Sequence, residues 1–96
     1  MFIIILRLSE NRASAPKFME EHRAWLQRGF DEGAFLVAGT IQPREGGAIV
    51  ANGGTREDIE RRVNEDPFVV EKVASAEILE VSPARADERL SFLLAN

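Results

Sequence analysis

Two hydrophobic patterns alternate along this chain, and the switches between them mark its elements. Phe2-Ile3-Ile4-Ile5-Leu6-Arg7-Leu8 is apolar at consecutive positions and rich in β-branched residues. That predicts a strand buried on both faces. After the polar connector Ser9–Ser14, apolar residues recur at Phe18, Met19, Trp25, Leu26 and Phe30, the i, i+3, i+4, i+7 spacing of an amphipathic helix. Lys17, Glu20, Glu21, Arg23 and Arg28 fall on its opposite side. Pro16 suits the first turn, and Gly29 or, better placed, Gly33 can close the helix in a left-handed conformation.

Phe35-Leu36-Val37-Ala38-Gly39-Thr40-Ile41 predicts a second strand, and Ala48-Ile49-Val50-Ala51-Asn52 a third, antiparallel across the turn Gln42-Pro43-Arg44-Glu45-Gly46-Gly47. Thr55-Arg56-Glu57-Asp58 has the form of a capping box opening a helix to about Asn64, with Ile59 and Val63 inward. Pro67 disfavours helical geometry at Asp66 and ends that helix. Val73 to Val81 is a fourth strand, stopped by Ser82-Pro83.

The order β-α-β-β-α-β is the split βαβ arrangement of ferredoxin-like α+β sandwiches. Two helices then cover one face of a four-stranded sheet, yet the first three strands are apolar toward the other face as well. An exposed apolar face of that size predicts a homodimer with the sheets packed face to face. The domain spans residues 1–83. The tail, 84–96, carries Leu90, Phe92, Leu93 and Leu94 and is a candidate to pack at the same interface. Burial of the sheet by this tail within a monomer is the competing arrangement.

Composition narrows the function classes. Ninety-six residues, 45% hydrophobic, make one domain. A net charge of −4 and a pI near 5.0 argue against a duplex nucleic-acid binder. The absence of cysteine excludes disulfides and thiolate chemistry, and a single histidine excludes a multi-histidine metal site within one chain. The apolar run at the N-terminus is too short for a signal-peptide core, and no stretch approaches the roughly 20 apolar residues needed to span a membrane. The expected setting is therefore cytoplasmic, with a small-molecule ligand and no membrane, nucleic-acid, metal or cofactor partner.

The lone histidine, His22, lies i+4 from Phe18 and i−3 from Trp25, on the inward stripe. An imidazole there needs a partner or a task. Asp66, in Asp66-Pro67-Phe68, can supply the partner, because both helices of a split βαβ fold lie on one sheet face. A carboxylate on one ring nitrogen fixes the tautomer and leaves the other nitrogen as a general base. The residues alone leave two readings open, a satisfied structural histidine and a catalytic or ligand-binding one. Arg44 is a candidate anchor for a carboxylate or phenolate, though a loop cation is commonly just solvated. Gly39 allows close approach of a ligand, or marks a bulge. Thr40 and Ser9 are candidate hydroxyl contacts by location. Arg7 faces either a cavity or its edge. Trp25 belongs to the core stripe, and Gly46-Gly47 to the turn.

Several of these segments, in this order, resemble the YCII-related (YciI-like) family: Met1-Phe2-Ile3-Ile4, Glu21-His22-Arg23-Ala24-Trp25-Leu26, Gly33 to Thr40, Pro43-Arg44-Glu45-Gly46-Gly47, Asp66-Pro67-Phe68 and Glu77 to Val81. The resemblance covers about residues 1–83. It implies a dimeric α/β-barrel of ferredoxin-like subunits, with His22 and Asp66 paired beside a small cavity. It also implies proton-transfer chemistry, since a few relatives are lyases that eliminate chloride from chlorinated hydroxyaromatics and the wider superfamily includes muconolactone isomerases. The expected function is thus a cofactor-independent lyase or isomerase acting on a small cyclic or aromatic-derived substrate. Two rivals stand beside it. One is a non-catalytic dimeric module binding a small ligand in the same cavity. The other is haem or oxygen chemistry, for which one histidine suffices as an axial ligand.

Overall fold

In the computed structural model, which describes residues 1–94, strand β1 (Phe2–Leu8) leads through a short 3-10 turn at Arg12–Ser14 into helix α1 (Ala15–Asp31). Strands β2 (Phe35–Ile41) and β3 (Gly46–Ala51) follow, then helix α2 (Arg56–Val63), the short helix α3 (Pro67–Val70) and strand β4 (Ala74–Glu80). The sheet order is β2-β3-β1-β4, with every neighbouring pair antiparallel. The fold is the ferredoxin-like α+β sandwich expected from the sequence. Among the described residues no helix is long and apolar enough to cross a membrane.

Strand periodicity sorts β1 into two rows. Phe2, Ile4 and Leu6 point toward the helices and are buried; Ile3, Ile5 and Arg7 point away. The inner row meets Ile49 and Ala51 of β3, and α1 and α2 cover it with Trp25, Ile59 and Val63. Burial of each large member contributes about 1.5–3 kcal/mol. On the outer side the register aligns Val37, Val50, Ile3 and Leu79 in one row across the sheet. Val37 is 57% and Leu79 40% exposed, so this face is apolar and open in the single chain.

The capping box at Thr55 forms as expected: the Thr55 hydroxyl accepts from the Asp58 N–H, and Asp58 accepts from the Thr55 N–H. The Thr55 backbone and hydroxyl bonds hold the Asp58 carboxyl below its usual value, with Arg61 adding a smaller effect. Gly33, at φ +75°, closes α1 in the left-handed region. Gly29, the alternative, lies inside the helix and serves a different end. It is buried directly against the Phe35 ring, where a Cβ would overlap the ring carbons. Gly29→Ala is therefore expected to destabilise by about 1–3 kcal/mol through overpacking, despite alanine's better helix propensity. Urea unfolding measures it, and an unchanged midpoint contradicts this packing.

Three expectations change. A short helix at Pro67–Val70 replaces what the pattern gave as a plain break, because Asp66 caps it and Pro67 occupies its first turn. The bulge in β2 falls between Phe35 and Val37, not at Gly39. Phe30, on the predicted inner stripe, is 38% exposed, its ring edge-on to Phe35 with centroids 6.0 Å apart. The tail forms a kinked 3-10 segment, Glu88–Leu94, with Leu90, Phe92 and Leu94 exposed. Its last two residues, 95–96, fall outside the described residues.

Candidate active site

The Asp66-Pro67-Phe68 triplet builds the site. Asp66 is extended at φ −64°, ψ 122°, and its Oδ1 accepts the Phe68 N–H at 3.0 Å, capping α3. The same Oδ1 lies 2.8 Å from His22 Nδ1. Asp66 is fully buried, and its Oδ2 has no protein partner among the described residues. An ionised carboxylate only accepts, so with Asp66 ionised this contact requires the proton on Nδ1, and a ring that is neutral in that state presents its lone pair on Nε2. No described protein group bonds Nε2. The ring plane is fixed as well: Phe68 stacks on it at 4.0 Å between centroids and 3° between planes, and Trp25 flanks it at 5.7 Å.

The imidazole, with its side chain 12% exposed, borders a cavity of about 620 Å³ between α1 and the β2–β3 end of the sheet. Such a volume suits a small organic molecule. The structure brings Gly39, Thr40 and Arg44 to the same cavity as His22. It does not bring Ser9, whose backbone N–H donates to the Val73 carbonyl at the β1 exit. Arg7 lies on the outer sheet face, 2.6 Å from Glu77, because its odd position in β1 points away from the helices. Trp25 is core: it is 1% exposed and its indole N–H donates to the Arg62 carbonyl.

The sequence pattern did not single out Arg23, Gln42, Met19, Leu26 or Phe68 as site residues, yet all border the cavity. The α1 contributors Met19, His22, Arg23 and Leu26 share a helix face, so helical spacing from His22 was the available signal. Phe68 was legible only as a core plug; its ring in fact orients His22. Among the described residues no three His, Asp or Glu side chains gather in a cluster able to hold a metal ion.

Part of the cavity floor lacks a side chain. Gly47 pairs with Leu6 of β1 and Thr40 of β2, and a Cβ on it would meet only the Gly39 carbonyl, at 3.4 Å. Gly47→Val is expected to fill this space, keep or raise the melting temperature through better strand propensity, and weaken small-ligand binding at least about tenfold. Thermal unfolding and ligand titration check both halves; unaltered binding contradicts this assignment of the floor.

No family model matches this sequence, and no curated protein matches it. Among solved structures the chain is similar to 5-chloro-2-hydroxyhydroquinone dehydrochlorinase (TftG) from Burkholderia phenoliruptrix AC1100, in complex with 2,5-dihydroxybenzoquinone. The TM-score is 0.68 at 14% identity, over 84% of this chain and 93% of that one. At this identity the likeness is one of fold.

Proposed function

We propose that this chain is a YCII-related lyase or isomerase that moves a proton on a small cyclic or aromatic-derived substrate, with His22 as general base and Asp66 as its positioning partner. The observation that carries the reading is the 2.8 Å contact between Nδ1 and a fully buried carboxylate, on a ring that borders an open cavity. The base needs no metal, cofactor or covalent intermediate. Nε2 takes the substrate proton, Asp66 compensates the imidazolium that forms, and the electron pair released from the broken bond shifts to expel a leaving group or re-form at a neighbouring carbon. Elimination of this kind loses one proton and one leaving-group anion and consumes no oxidant. The dehydrochlorinase with the same fold supports an elimination on a hydroxylated ring as the reaction to try first.

The working unit in this proposal is a homodimer, supported by the open apolar row Val37, Val50, Ile3 and Leu79. Its cytoplasmic setting is part of the same reading. The test is incubation with 5-chloro-2-hydroxyhydroquinone and related chlorinated hydroquinones, following chloride release. Chloride released by the native chain and not by His22→Gln supports the proposal. Tight ligand binding without turnover of any member favours the non-catalytic binding module instead.

A further inference from the structure

The charges around the cavity point to the kind of molecule it takes. The chain carries more acidic than basic residues, 16 against 12. Yet among the described residues no Asp or Glu borders this cavity, whereas two arginines, Arg23 and Arg44, do. Arg7, Arg56, Arg61, Arg62, Lys72 and Arg89 each lie within ion-pair distance of a carboxylate. Arg23 and Arg44 have no such partner among the described residues, as is also true of Arg12, Lys17, Arg28 and Arg85; what sets the two apart is that they border this cavity. The polar cleft on the other side of α1 provides a contrast: Arg28, Arg61 and Arg62 border it together with Glu32, Asp58 and Glu65, so its charges balance three against three.

Position strengthens the argument for both arginines. Arg23 follows His22 on the α1 face that also sends Met19 and Leu26 to the cavity, so a cation stands beside the base on an otherwise apolar stripe. Arg44 sits in the β2–β3 connection at φ +71°, a left-handed conformation that side-chain-bearing residues adopt at an energetic cost. A loop residue held this way at a cavity mouth is a recurrent feature of ligand sites. The remaining polar groups at this end, the Thr40 hydroxyl and the Gln42 amide, are uncharged. Low-dielectric walls with cations of one sign focus the field and concentrate anions.

We infer that the cavity is an anion site, and that the substrate of the proposed reaction is a small ring bearing a carboxylate or an ionised phenolate. Arg44 and Arg23 grip the charged group, leaving the ring against His22. Guanidinium matches a planar carboxylate through two parallel hydrogen bonds. The inference rests on the proposed function for the word substrate, but the anion site stands without it, because binding requires no turnover.

The experiment is calorimetric titration with 2,5-dihydroxybenzoate and with its uncharged counterpart 2,5-dihydroxybenzamide. The native chain is expected to bind the benzoate at least about tenfold more tightly, with an affinity that falls as salt rises. Arg44→Met is expected to lose about 10- to 100-fold of benzoate affinity, Arg44→Lys to recover part of it, and Arg23→Met to lose less. Arg28→Met, in the charge-balanced cleft, is expected to bind as the native chain does. Equal binding of the amide, no benzoate binding by the native chain, or full affinity in both Arg44→Met and Arg23→Met overturns the anion site. His22→Gln separates the two ideas. It is expected to keep the preference for the benzoate, so a chain that prefers anions yet turns nothing over contradicts only the catalytic reading.

Discussion

His22→Gln is expected to cut turnover by about 10²–10⁴-fold, the usual contribution of a positioned general base. Glutamine keeps a planar polar tip that can still donate to Asp66 Oδ1, so the carboxylate retains a partner. What it lacks is a lone pair of suitable basicity in place of Nε2. Part of the parallel stacking on Phe68, at 4.0 Å, is lost with the ring, and an aromatic pair is worth about 0.5–1.5 kcal/mol. Stability should thus fall modestly while activity collapses. Steady-state kinetics and urea unfolding on the same preparation measure the two effects. A variant that keeps native turnover removes His22 from the mechanism.

Asp66 carries the second large effect, and here stability changes most. Asp66→Ala removes a fully buried carboxylate that serves two donors from one oxygen, the His22 Nδ1–H and the Phe68 N–H. The cap is worth about 0.5–2 kcal/mol, and each donor left buried without a partner costs about 1–3 kcal/mol. Because the imidazole can change tautomer, the combined loss is expected at about 2–4 kcal/mol, overlapping the lower part of the roughly 3–5 kcal/mol typical of breaking a buried pair. Asp66→Asn behaves differently. Its amide oxygen can still accept both bonds, so the fold loses less, but it has no negative charge to compensate an imidazolium. The expected pattern is that alanine damages stability and turnover together, whereas asparagine damages turnover far more than stability. Equal turnover for asparagine and native chains makes the pair a structural clamp.

The elements that were legible in the sequence are those whose own pattern decides them. The apolar run from Phe2, the helical stripe through Phe18 and Trp25, and the Thr55–Asp58 capping box each carry their structure locally. The two-sided apolarity of β1 was equally readable, and the outer row Ile3, Val50, Val37 and Leu79 is its result. His22 and Asp66 could be paired because a split βαβ fold places both helical segments on one sheet face. Asp66 could not be seen to do two jobs, since reading Pro67 only as a breaker hid the short helix that the aspartate caps.

The cavity was the least legible part. Part of its floor depends on what Gly47 omits, and an absent side chain leaves no periodic signal. Ser9 was a candidate by location alone, but the 3-10 turn at Arg12–Ser14 carries the connector along the Val73 end of the sheet. Arg23 was assigned to the solvated side of α1, yet a long side chain next to the stripe reaches the cavity rim. By position Arg44 was read only as a residue of the β2–β3 loop; it borders the cavity because a hairpin connection of that length keeps its middle residues at the sheet end.

The central claim is that Asp66 holds the proton on Nδ1 and leaves Nε2 as the free, cavity-facing base. The most direct measurement is the long-range 1H–15N NMR spectrum of the imidazole, free of overlap because the chain has a single histidine. Above the pH at which the ring loses its charge, the account predicts a protonated, pyrrole-type Nδ1 and an unprotonated, pyridine-type Nε2, with this tautomer weakened in Asp66→Ala. A neutral ring carrying its proton on Nε2 contradicts the account.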